Sequence, residues 1–202
     1  MIITYHGQAF VRCQVGDTVV AFNPGSVGAR FGADVVLVSL SDQRFKGGEN
    51  LTGGGKEPFI IDGPGAYEVG GIFIEGLASP GANDYINTIY ALNLDGMRVC
   101  HLGVLATLAI DPEALESIGA VDILFVPIGG GDRLSAKEAA KIAASLEPKI
   151  VIPVLYSGES DPELKIFLKE IGEEGIKAVD KLAIKRRDLE TKEGEVVLLL
   201  AE

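Results

Sequence analysis

The hydrophobic pattern of the chain changes about halfway along, and this change limits the architectures that the chain can adopt. The first half consists of short β-rich runs separated by turns, and 26 of the 202 residues are glycine. In the second half, buried apolar runs alternate with amphipathic helices. Helices that alternate with buried strands pack outside a sheet, so the sequence predicts an α/β protein in which helix layers enclose two sheets. One domain covering residues 1–202 is expected to contain both halves.

The first half contains runs of strand length that end at turn residues. Asp95-Gly96 is a strong turn pair and joins the last two of these runs as a hairpin. The glycine-rich segment 47–56 is expected to be a flexible loop. The predicted strands are 2–5, 9–14, 18–22, 34–38, 58–62, 67–78, 86–94 and 97–102.

Capping residues mark the helix starts of the second half. Asp111 and Asp161 each precede a proline at the first helical position, and Ser135 forms a capping box with Glu138. The predicted order is a helix from 112 to about 118, a strand at 122–127, a helix from 136 to about 146, a strand at 149–153, a helix from 162 to about 172, and a final hairpin of strands 182–186 and 195–200.

An excess of acidic groups excludes several classes of partner. Asp and Glu number 29 against 18 Lys and Arg, which gives a formal charge of −11. This charge repels phosphate backbones and anionic membranes, so neither a nucleic acid nor a membrane is expected as partner. The sequence shows no signal peptide and no apolar run of roughly 18 residues, which favours a cytoplasmic location. Cys13 and Cys100 lie in apolar runs and are predicted to be buried thiols.

Short motifs occur in a fixed order along nearly the whole chain. They are 3–10 (ITYHGQAF), 19–24 (VVAFNP), 33–39 (ADVVLVS), 62–69 (DGPGAYEV), His101-Leu102-Gly103, 122–130 (DILFVPIGG) and 149–153 (KIVIP). In this order the motifs resemble the metallo-β-lactamase superfamily, and within it the branch of ascorbate-phosphate lactonases and small metal-dependent hydrolases. The resemblance implies a four-layer αββα sandwich.

The ligand positions implied by this resemblance carry unusual residues in this chain. Members of the superfamily typically hold one or two metal ions, usually zinc, through an H-x-H-x-D-H loop, later histidines and a bridging aspartate. The metal acidifies a water molecule, which attacks an ester, lactam or phosphodiester. This chain has only two histidines. The matching positions carry Leu40, Asp42, Arg44 and Phe45 in the loop, Gln8 and Asn23 before it, Val104 in place of the bridging aspartate, and Leu155 in place of the last histidine.

From these replacements we expect a superfamily member that has no metal cofactor and is not catalytic, a pseudoenzyme that binds a small molecule or a protein partner. The expected ligand-binding residues are Ser41, Asp42, Arg44, His101 and Tyr156, with no catalytic residue and no metal ligand. One alternative is a metal-dependent hydrolase of the lactonase or phosphodiesterase type whose site is rebuilt around Asp42; zinc would be its metal if the motif interpretation is wrong. A further alternative is a homo-oligomeric assembly protein.

Several of these positions also have a purely structural interpretation. His101 is favoured as a hydrogen-bonded core histidine, since in the superfamily it precedes the bridging aspartate. Asp42 and Arg44 either face a ligand or pair with each other in an exposed loop. The run from Gly129 to Asp132 comes just before the capped helix. It either offers backbone N–H groups to an anion or serves as a tight connection between strand and helix.

Overall fold

The structure is a computed structural model that describes residues 1–25, 31–55 and 57–202, and these residues form two β-sheets. The six-stranded sheet has the order β12 (Lys181–Ala183), β1 (Ile2–Tyr5), β2 (Val11–Val15), β3 (Thr18–Phe22), β4 (Val35–Leu37) and β5 (Phe59–Ile61). The seven-stranded sheet has the order β13 (Glu195–Val196), β11 (Ile150–Val154), β10 (Ile123–Pro127), β9 (Met97–His101), β8 (Ile86–Leu94), β7 (Ile72–Pro80) and β6 (Gly65–Val69).

The described residues include three α-helices, which begin where their capping residues predict. Asp111 and Asp161 accept hydrogen bonds from the backbone N–H groups of the first helical turn, and Ser135 and Glu138 form the capping box. The predicted helix positions are therefore confirmed to within about one residue. The helices are α1 (Pro112–Ile118), α2 (Ala136–Leu146) and α3 (Pro162–Ile171). No helix among the described residues has the length and apolar character needed to cross a membrane.

Apolar side chains fill the space between the two sheets and the space between the seven-stranded sheet and the helices. Cys13 lies in the first of these cores and Cys100 in the second, and burial raises the pKa of each thiol to about 12. The prediction of two buried thiols is thus confirmed. A smaller cluster around Phe10 and Val36 covers the outer face of the six-stranded sheet. In the described part of the chain, short 3-10 turns and loops accompany this cluster, while the three α-helices belong to the other sheet.

Three predicted elements differ from the structure. The predicted strand 67–78 is two antiparallel strands, β6 and β7, because Gly70 and Gly71 both adopt positive φ and form a turn. The predicted C-terminal hairpin is wrong, since β12 pairs with β1 while β13 pairs with β11 in the other sheet. The predicted loop 47–56 contains 3-10 turns at Gly48–Asn50 and Gly53–Gly55, and its Lys56 lies outside the described residues.

Candidate functional site

The candidate site lies where several strands end at one edge of the two sheets. Strands β9, β10 and β11 are parallel, so their carboxyl ends reach the same edge of the seven-stranded sheet. The loop after β4 meets this edge, because Leu40 forms an isolated bridge with Asn87 and the Ser39 carbonyl accepts a hydrogen bond from Thr88 N. The loops expected to carry the site are therefore brought together.

Apolar side chains occupy four of the superfamily's ligand positions. Leu40, Phe45, Val104 and Leu155 are at most 5% exposed and belong to the core between the sheets. Because an unpaired imidazole or carboxylate in such surroundings is costly, the replacements are mutually consistent. These four apolar side chains belong to one core cluster, and none of them lines either of the two clefts described below.

The backbone at three matched positions is left-handed although none of them is glycine. Gln8, Asn23 and Leu155 have φ values of 54°, 49° and 65°. Asn adopts this conformation readily, whereas a leucine in it costs roughly 1–2 kcal/mol. A hydrogen bond of 2.7 Å from Leu155 N to Gln8 O holds two of these residues together. Such non-glycine outliers cluster at functional sites, so this edge is the best candidate in the described structure.

Two buried asparagines connect the loops beneath the site. Asn23 accepts a hydrogen bond from Ser39 N at 2.7 Å and donates one to Ser39 Oγ at 3.2 Å. Asn87 donates to Ser79 Oγ and to the Leu102 carbonyl, and its Oδ1 accepts from Val104 N at 2.7 Å. Asn87 was not among the residues predicted from the sequence. Its signal was an amide among the apolar residues of strand 86–94, where a buried polar group needs specific partners.

His101 is fully buried within this framework. Its Nδ1 accepts a hydrogen bond from Gly103 N at 2.9 Å, so Nε2 carries the proton and donates to the Ala9 carbonyl at 3.2 Å. Phe22 stacks on the ring at a centroid distance of 5.0 Å. Burial lowers the pKa of His101 to about 3. These contacts support the interpretation as a core histidine, with both ring nitrogens used inside the protein.

Asp42 and Arg44 pair with each other at the rim of the site. Arg44 Nε and Nη2 donate to the two carboxylate oxygens of Asp42 at 3.1 and 3.0 Å, and Arg44 N donates to Oδ1 at 2.8 Å. Hydrogen bonds from the Arg44 side chain and backbone lower the pKa of Asp42. Asp42 therefore remains ionised at neutral pH. Of the two alternatives from the sequence, mutual pairing is the one observed in the structure.

Ser41 and Tyr156 line different clefts. Ser41 lines a cleft of about 400 Å³ together with Asp62, Gly63, Pro64, Tyr85, Ile86 and Thr88. Tyr156 lines a second cleft of about 340 Å³, and its hydroxyl donates to the Leu199 carbonyl at 2.5 Å. Burial raises the pKa of Tyr156 to about 12. The structure thus places Ser41, Asp42 and Arg44 on one loop, His101 inside the core and Tyr156 in another cleft.

The side chains at the superfamily's ligand positions do not fit a metal ion. Asp42 is the one carboxylate among them, and Arg44 already holds both of its oxygens. Within residues 1–25, 31–55 and 57–202, no group of three or more His, Cys, Asp and Glu side chains is arranged to hold a metal.

Comparison with known proteins identifies relatives over most of the chain. Residues 2–155 match the family described as β-lactamase superfamily domain. A UPF0173 protein of Pyrococcus furiosus is 39% identical over 74 residues, which cover 37% of this chain and 34% of that protein. A UPF0173 metal-dependent hydrolase of the same organism is 30% identical over 158 residues, which cover 74% of this chain and 68% of that protein.

A solved structure extends this similarity to the whole chain. A Thermotoga maritima protein assigned as a Zn-dependent hydrolase of the metallo-β-lactamase superfamily has a TM-score of 0.81 and 29% identity. The superposition covers 98% of this chain and 97% of that chain. The predicted α/β fold of the metallo-β-lactamase type is therefore confirmed.

The same relatives contradict two predictions made from the sequence. A non-catalytic pseudoenzyme was expected, whereas relatives named metal-dependent hydrolases point to a hydrolase. The absence of a cofactor was expected, and those names imply a metal. The two histidines limit which ligands the chain supplies, but their number does not decide whether it hydrolyses a substrate. Loss of the superfamily's metal ligands therefore does not by itself imply loss of catalysis.

Proposed function

Because this chain belongs to the metallo-β-lactamase superfamily, we propose that it is a hydrolase of small molecules that contain a lactone or phosphodiester bond. The observation that carries this proposal is the alignment over 158 residues with a relative named a metal-dependent hydrolase. The superposition on an assigned Zn-dependent hydrolase at 29% identity supports it. The alignment with the first P. furiosus relative spans about a third of that protein, so substrate and activity are argued from this chain's own residues.

The proposed site is the cleft that Ser41 and Asp62 line, and its proposed catalytic carboxylate is Asp42, which follows Ser41 on the same loop. Asp42 follows β4 at the edge where the strands end, and its lowered pKa keeps it ionised. An ionised carboxylate can accept a proton from a water molecule that attacks the substrate. Arg44 orients this carboxylate through its two-pronged hydrogen bond. Thr88 and Asp62 supply further polar groups to the cleft, and the exposed Ile86 supplies an apolar wall.

Activity should depend on Asp42. Assays with lactones and phosphodiesters are run on the protein as purified, after chelation, and with added Zn²⁺ or Mn²⁺. We expect Asp42→Asn to lower the rate of the best substrate by about 100-fold or more, since removal of a general base typically costs that much. Asp180→Asn removes an exposed carboxylate elsewhere and is expected to keep the full rate. If no substrate is hydrolysed under any of these conditions, the hydrolase proposal is rejected; an unchanged rate in Asp42→Asn rejects the assigned site.

A further inference from the structure

Two arginines lie on either side of one carboxylate at the rim of the candidate site. Arg44 Nη2 is 3.9 Å from Asp132 Oδ2, and Arg133 Nε is 3.2 Å from Asp132 Oδ1. Arg44 belongs to the loop after β4, whereas Arg133 belongs to the connection between β10 and α2. Loops from the two different sheets therefore bring two guanidinium groups to a single acidic side chain.

The position of Arg133 depends on a close approach to the backbone. A Cβ atom at Gly129 would lie 2.5 Å from Arg133 Nη1 and 2.6 Å from the Leu155 carbonyl oxygen. Glycine at position 129 thus leaves room for the Arg133 guanidinium beside the Leu155 backbone. Leu155 is the residue at the position of the superfamily's last histidine ligand. Arg133 Nε is buried and makes no hydrogen bond within the described residues, despite its short distance to Asp132. Arg133 therefore has a donor whose hydrogen bond is not made while Asp132 lies beside it.

We propose that Arg44 and Arg133 bind the carboxylate or phosphate group of an anionic substrate, and that Asp132 occupies the place of this group in the free protein. The inference deepens the hydrolase proposal and rests on it for the chemistry of the substrate. Guanidinium groups bind either kind of oxyanion through paired N–H donors. The carboxylate of Asp132 is an oxyanion of the same kind, and it already contacts both arginines.

The local charges explain why an outside anion can replace Asp132. In the free protein Asp42 and Asp132 balance Arg44 and Arg133. The Asp132 side chain is 36% exposed, and its pair with Arg44 lies at the surface, where such pairs contribute little stability. When Asp132 turns away, Asp42, Arg44 and Arg133 together carry one net positive charge. A bound anion then neutralises this charge. The site therefore favours a small substrate with one anionic group at the end that contacts the arginines.

The test is an NMR titration of ¹⁵N-labelled protein with inorganic phosphate and, separately, with succinate. Asp132→Asn removes the competing charge, so we expect the affinity for at least one of the two anions to rise about 5- to 10-fold. The anion that binds more tightly shows whether the site prefers a phosphate or a carboxylate group. Arg133→Gln is expected to lower that affinity about 10-fold or more. Arg133→Lys keeps the positive charge but loses the planar pair of N–H donors, so an intermediate affinity is expected.

Asp180→Asn and Arg187→Gln are the control variants. They repeat the two charge changes at exposed positions elsewhere and should leave anion binding unchanged.

Two results would overturn the anion site: equal effects of Asp132→Asn and Asp180→Asn, or an Arg133→Gln variant that is folded and binds as well as the wild type. Because the titration involves no turnover, it separates this inference from the hydrolase proposal. A protein that binds phosphate through the arginines but hydrolyses nothing retains the anion site and loses the proposed function. A protein that hydrolyses neutral lactones but fails the titration retains the function and loses the anion site.

Discussion

Gly103→Ala should strongly destabilise the protein. Gly103 has a φ of 66°, and a Cβ atom there would lie 2.4 Å from Asn87 Oδ1 and 2.5 Å from Ser39 Cβ. The left-handed backbone costs an alanine about 1 kcal/mol, and the collision with a buried polar framework adds roughly 1–3 kcal/mol. We therefore expect a loss of roughly 2–4 kcal/mol in the free energy of unfolding, measured by urea denaturation monitored by circular dichroism.

Gly16→Ala is the matched control for this prediction. Gly16 has a similar φ of 57°, and no atom lies within 4 Å of the Cβ position. Its substitution should cost only the backbone contribution of about 1 kcal/mol. Equal losses in the two variants would show that an alanine Cβ at position 103 collides with neither Asn87 nor Ser39, and would contradict the prediction.

Acid should destabilise the protein through His101. Its pKa falls from 6.5 in an unfolded chain to about 3 in the folded protein because the ring is fully buried. Between these values the unfolded chain binds one proton more than the folded protein, so stability increases with pH. The contribution of His101 is fully present above about pH 6.5 and decreases by roughly 1.4 kcal/mol per pH unit as the pH falls towards 3.

His101→Gln separates this effect from that of the carboxylates. Glutamine has an acceptor and a donor for the Gly103 N–H and the Ala9 carbonyl but does not titrate. The pKa values of Asp42, Glu138 and Asp161 are lowered, so these groups contribute to acid destabilisation in both proteins. We expect the slope of unfolding free energy against pH between 6 and 4 to be smaller in the variant by roughly 1.4 kcal/mol per unit. Identical slopes would contradict the assignment to His101.

Local signals in the sequence were sufficient for most elements of the fold. The N-caps at Asp111, Ser135 and Asp161 act within one helical turn, and the structure confirms each of them. The C-terminal hairpin was predicted wrongly because strand pairing is not local. The turn residues Glu193-Gly194, which lie between the two predicted strands, suggested that β12 and β13 pair with each other, whereas β1 and β11 are their partners.

The candidate site was predictable only in part. The resemblance to the superfamily located the loop with Ser41, Asp42 and Arg44 after a buried strand, and the apolar residues at the ligand positions are buried. The contact between Arg44 and Asp132 joins residues 88 positions apart, and no sequence pattern indicates it. The roles assigned to Ser41 and Tyr156, the expected partners and the homo-oligomer remain predictions.

Residues 181–201 form backbone pairings with both sheets and so link the two sheets to each other. β12 extends the six-stranded sheet, β13 extends the seven-stranded sheet, and Ala201 returns to form a bridge with Tyr5 of β1. Neither sheet can separate from the other without breaking pairings of this segment. We therefore expect the protected amides of β1 and β11 to exchange with deuterium in a single cooperative opening, with equal free energies, whereas two separate openings would contradict this linkage.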